Sequence, residues 1–130
     1  MYKRQAYTRL AAAAAIHRRL LDQEGSAYCL AGLAAVALSQ QRPETAAQLL
    51  GAAAHAWSVL EVAVWPALQD LAANLTDGVA QALPAARLAE CRERGAHLPT
   101  YDALGWAVAV TAPAVSPESS PTRRAALPAR

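Results

Sequence analysis

Three histidines, two cysteines, three tryptophans and a scatter of carboxylates are the residues of this 130-residue chain that could do chemistry. A metal site needs ligands about one helical turn or one short loop apart. His17, His55 and His97 show no His-x3-His spacing, and none has a cysteine at ligand distance. Covalent catalysis needs a nucleophile beside a base, and neither Ser26 nor the two cysteines sit in such a context. The expectation is therefore no metal, no cofactor and no enzymatic activity. The tryptophans offer recognition instead. Trp57 reads as core, whereas Trp65, just before Pro66, and Trp106, on the outer side of the last helix, are placed to line a groove and anchor a partner. The plainer alternative is that both cover the ends of a hydrophobic layer. Trp57, Trp65 and Leu68 together are candidates for an apolar pocket.

The elements that must hold these residues are helices. Hydrophobic residues make up 55% of the chain, yet alanine dominates them and phenylalanine is absent. That composition favours closely packed helices over a sheet built from β-branched and aromatic residues. The organising stretch is Ser26 to Ala54, read as two antiparallel helices joined at Gln41-Arg42-Pro43. Leu30, Leu33, Ala34, Ala37 and Leu38 form one stripe at helical spacing, and Ala46, Leu49, Leu50, Ala53 and Trp57 form the facing one. Alanines at the crossing let the two axes approach closely.

Before that pair, a helix is expected from Lys3 to Leu21, ending at Asp22–Gly25 with Gly25 in the turn and Ser26 capping the next helix. After it, Glu61–Pro66 reads as an irregular crossover. The pattern Leu68, Leu71, Ala72, Leu75, Val79, Ala82 then predicts a fourth helix, weakened or bent at Gly78. A fifth runs from Ala85 to Arg94, turns Leu88 and Cys91 inward, pairs Arg87 with Glu90 and Glu90 with Arg94, and stops at Gly95. A sixth begins near Thr100 and turns Leu104, Ala107 and Val108 inward. One helical domain over residues 1–111 and a disordered Pro/Ser/Arg-containing tail over 112–130 complete the organisation.

The formal net charge of +2 conceals a split. Lys3, Arg4, Arg9, Arg18 and Arg19 precede the first acidic residue, whereas between Asp22 and Val110 four arginines face nine carboxylates. A negative centre repels phosphate, so specific nucleic-acid binding is not expected. The longest uncharged runs, Gly25–Gln41 and Thr45–Leu60, fall short of the ~20 strongly apolar residues of a membrane span. The start resembles a signal peptide only superficially, because its apolar core runs straight into His17-Arg18-Arg19. An organelle presequence remains a minor alternative. Cys29 and Cys91, each on an apolar stripe, read as buried thiols of a reducing compartment, with one disulfide as the alternative, and the expected location is the cytoplasm.

Two longer segments carry a resemblance. YCLAGLAAVALSQQRPETAAQLLGAAAHAW and ALPAARLAECRERGAHLPTYDALGWAVA resemble the C-terminal tetratricopeptide-like helical-repeat region of bacterial LuxR-type regulators and related signalling ATPases. The matching features are the Leu-Leu-Gly-Ala-Ala segment at Leu49–Ala53, a short helix ending at Gly95 and a final helix from about Thr100. The resemblance implies an all-α, TPR-like α-solenoid of about six helices arranged as antiparallel hairpins. It also implies a fragment or relative of a longer regulator, with a protein partner or adjacent domains on its exposed face. Those regulators carry a Gly-x4-Gly-Lys-Ser/Thr loop, but the only lysine here is Lys3 and no Gly-Lys pair exists. ATP hydrolysis and DNA binding are accordingly not implied. Two functions follow as expectations. The first is a non-catalytic protein-interaction scaffold, and the alternative is a small-molecule effector-sensing or carrier domain.

Overall fold

Prolines set most of the helix starts. The computed structural model describes residues 2–60 and 63–113, with side chains from Arg4 onward. Its helices are α1 (Tyr2–Leu20), α2 (Gln23–Ser39), α3 (Pro43–Ser58), α4 (Pro66–Ala82), α5 (Ala85–Ala96) and α6 (Thr100–Val110). Pro43 and Pro66 open α3 and α4, where the missing N–H has no helical partner to lose; Pro84 and Pro99 immediately precede α5 and α6. The fold is all-α, with no strand among the described residues. Glu61 and Val62 of the expected crossover lie outside the described residues, as do residues 114–130 of the expected tail.

The joint between α1 and α2 differs from its sequence reading. Asp22, not Ser26, caps α2: its Oδ1 accepts the Gly25 N–H at 3.0 Å, and its Oδ2 meets His17 Nδ1 at 3.0 Å. A carboxylate already held by the end of α1 starts the next helix one turn earlier than Ser26 would. Gly25 thus lies in the first turn of α2 and does not make the turn; the left-handed residue is Leu21, at φ 54°. The His17 ring lies against Gly25 where a Cβ would stand. Ser26 is buried, and its hydroxyl has no partner among the described residues.

The middle of the stack is α2, as expected of a helix apolar all round. Ala27, Leu30, Ala31, Leu33, Ala34 and Ala37 are fully buried. On one side α1 runs antiparallel to it, with Leu10 over Gly32 and His17 over Gly25. On the other, α3 folds back through Gln41, at φ 61°, and buries Ala46, Ala47, Leu49 and Ala53. The row then continues out of chain order, because the main outer neighbour of α3 is α5 and not α4. Instead α4 lies across α2 and α3, while α6 covers α1, α2 and α3. Gln40 Nε2 donates to the Thr111 carbonyl at 2.8 Å, and Arg42 donates to that of Val110, tying the end of α6 to the α2–α3 turn.

Where α3 crosses α5, backbone meets backbone. A Cβ at Gly51 would overlap the Arg92 carbonyl, and one at Gly95 would overlap the Gln48 carbonyl. The two backbones therefore touch reciprocally, and only hydrogen fits at either position. This corrects the reading of Gly95 as a helix stop. α5 runs through it to Ala96, and no described glycine takes a positive φ. Gly78 likewise sits within a continuous α4, where a Cβ would stand 2.8 Å from Leu38 Cδ2. Beside the crossing, Arg87 bonds both carboxylate oxygens of Glu44, at 2.9 and 3.0 Å, and also Glu90 at 2.8 Å. Arg94 meets Glu90 at 3.3 Å, so both ion pairs expected along α5 form. The Arg87 guanidinium holds the Glu44 carboxyl below its ordinary range.

Candidate functional site

The most distinctive constellation is aromatic and gathers where α2 begins and α3 ends. Trp65 precedes a proline and is extended, at φ −59° and ψ 140°. This places its ring beside Tyr28 of α2, with centroids 5.3 Å apart and planes tilted by 54°. Trp57, near the end of α3, meets Tyr28 edge-to-face at 5.6 Å and 89°. Tyr28 is therefore the hinge of a three-ring cluster.

The expected pocket of Trp57, Trp65 and Leu68 is divided in two. Trp57 and the buried Leu68, with Val64 and Ala72, line a cavity of about 500 Å³ between α3 and α4. Trp65, 64% exposed, instead joins Tyr28, Leu10, His17 and Glu24 around a cavity of about 440 Å³ between α1 and the first turns of α2. Trp106, 37% exposed on α6, stands apart from both, lining a third cavity of about 430 Å³ with Arg94, Leu98 and Asp102. Of the four residues singled out by sequence, Trp57 and Leu68 share one cavity, Trp65 is joined to Trp57 through Tyr28, and Trp106 stands apart.

Electrostatics sharpen the picture. Tyr28 Oη and Trp57 Nε1 are buried with no hydrogen-bond partner among the described residues. Buried polar atoms are nearly always paired with protein or water, so both groups have hydrogen-bonding capacity that the described residues do not use. Burial, and then the nearby Glu24 carboxylate, push the Tyr28 phenol above its ordinary 10.0, which keeps it neutral. Asp22 is held below its ordinary 3.8, chiefly by the Gly25 N–H and further by His17.

His17, Asp22 and Cys29 line the same cavity and have the composition of a thiol triad. Their environment opposes that use. Burial and then Asp22 push the Cys29 thiol up to about 11, so a thiolate is present in only about one molecule in ten thousand at neutral pH. A catalytic thiol is shifted the other way. The remaining histidines are engaged locally or exposed: His97 Nδ1 meets the Glu93 carbonyl at 2.7 Å, and His55 faces solvent. No group of three or more metal-ligating side chains converges among the described residues.

Tyr28 was missed by sequence reasoning. Its signal was present: it stands one helical turn after Glu24, on the face that α3 ends against. What no spacing rule supplies is that a tryptophan in the α3–α4 crossover returns to it. No family model, curated protein or solved structure matches the chain. Among the described residues, no helix is long and apolar enough to cross a membrane.

Proposed function

We propose that this chain is a non-catalytic helical-repeat module that seats a protein partner, or an adjacent domain of a larger bacterial regulatory protein, against the outer face of α1. The carrying observation is an apolar ridge. Ala12, Ile16 and Leu20 recur every four residues along α1, and all three are exposed, Ile16 by 47% and Leu20 by 67%. Large apolar side chains in register on one helix face are a common signature of a docking surface. Arg4, Arg9, Arg18 and Arg19 are exposed on the same helix, which carries no acidic residue. The complementary occupant is an amphipathic helix whose apolar stripe covers the ridge and whose flanks are acidic. The affinity to LuxR-type regulators draws its support from Leu49–Ala53 and the α5–α6 segment, and in that setting the occupant is a helix of a neighbouring repeat.

Affinity capture with the wild-type chain and with the Ile16→Glu/Leu20→Glu variant tests this reading. The expected result is a partner, identified by mass spectrometry, that rebinds the purified wild type less tightly as salt rises and does not bind the double variant. Equal binding to the two proteins would contradict it. A second reading, a small-molecule effector or carrier domain, is favoured by the orphaned Trp57 indole N–H and the cavity that Trp57 shares with Leu68. A saturable shift of tryptophan fluorescence in a metabolite screen, with no captured partner, would put that reading first.

A further inference from the structure

The cavity between α1 and the start of α2 combines two aromatic walls with a carboxylate, and the α1 ridge uses neither. Tyr28 and Trp65 both line it, and with centroids 5.3 Å apart a cation can lie within the ~6 Å reach of both rings at once. Glu24 lines the same space, is exposed, and has no ion-pair partner among the described residues. The second carboxylate there, Asp22, is already committed to the Gly25 N–H and to His17. That capping contact also answers the partial positive charge, about half a unit, at the N-terminus of α2. Glu24 is left as the uncompensated charge of the cavity.

The rest of the wall selects the kind of cation. Leu10, Ala13 and the two rings make it mostly apolar, so a compact, strongly hydrated ion would lose water there without replacement. An alkylated ammonium spreads its charge over methyl groups and loses little. We propose that this cavity binds an organic ammonium group, a quaternary or methylated amine, with Trp65 and Tyr28 against its methyls and the Glu24 carboxylate against its charge. The group can belong to a free small molecule or to a methylated lysine of a polypeptide.

Calorimetric titration of the full chain with choline, and with its neutral carbon isostere 3,3-dimethylbutanol, separates charge recognition from plain apolar burial. Choline is expected to bind about tenfold more tightly, the scale of one partly desolvated cation–π contact. Trp65→Leu keeps apolar bulk and loses the indole face, and Glu24→Gln keeps shape and loses charge. Each is expected to lower choline affinity about fivefold and leave the isostere unchanged. Both residues are exposed, and circular dichroism checks that the variants fold. A trimethyllysine peptide titrated beside choline distinguishes the sources: whichever binds more tightly identifies where the ammonium resides, and either result upholds the site. Equal affinity for choline and the isostere, no binding of choline or the peptide, or full affinity in Trp65→Leu would overturn it. Ile16→Glu/Leu20→Glu should retain choline binding while losing the protein partner, so failure of one site is distinguishable from failure of the other.

Discussion

The middle of α3 and its C-terminal end are built by opposite rules. Around Gly51 the helix presses its backbone onto α5, and at Gly51 and Gly95 there is no room for even a Cβ between them. Around Trp57 it meets Tyr28 and the start of α4 through large rings, with a cavity of about 500 Å³ beside them and two polar atoms left unpaired. The middle gains its stability from dense backbone contact, which leaves no freedom to accept anything else. The C-terminal end has shape, apolar area and unanswered hydrogen-bonding groups, which are what a ligand or partner would use. Tight backbone packing and open aromatic packing thus occupy different turns of a single helix.

The largest effect is expected at the crossing of α3 and α5. Gly51→Ala should cost ~3 kcal/mol despite alanine's better helix propensity, because the new methyl meets a carbonyl that cannot rotate away. Chemical denaturation measures this directly, and an unchanged midpoint would mean that the backbones are not in contact. Next in size is the cap beside the aromatic end. Asp22→Ala should cost ~1 kcal/mol near neutral pH, with α2 fraying from its first turn. Because the Asp22 carboxyl is held below its ordinary 3.8, its stabilisation is complete above that pH. It is lost as the pH falls through the lower folded-state value, where the wild-type and variant midpoints should converge.

A smaller effect is expected at Arg87, which bridges Glu44 and Glu90 outside the glycine crossing. Its side chain is one-third exposed, so Arg87→Met should lower the denaturation midpoint only slightly, and the loss should shrink in high salt. Smallest is Trp65→Leu. The ring is mostly exposed, and stability should change by no more than ~0.5 kcal/mol. A large loss there would make Trp65 structural and erase the contrast with Gly51.

Much of the fold was legible because helix periodicity and proline chemistry are local. The Leu30–Leu38 and Ala46–Trp57 stripes, and Pro43 and Pro66, point to the central pair and to the start of α4 without any knowledge of neighbours. What escaped depends on distant segments. Gly95 looks like a helix stop until α3 lies against it, and Gly25 looks like a turn until His17 covers it. Asp22 and Ser26 are both good caps by residue type, and the choice falls to Asp22 through its contact with His17. The same holds for the site: Trp57 and Leu68 are near in sequence and share a wall, but Tyr28 becomes its centre only when the chain beyond α3 returns Trp65 to α2.

Amide hydrogen exchange under native conditions tests the division within α3 most directly. Amides from Ala46 to Ala53 should exchange only through global unfolding, with protection equal to the full stability of the protein. Those from His55 to Ser58 should open locally and exchange faster. Uniform protection along all of α3, or faster exchange around Gly51 than at His55–Ser58, would contradict that division.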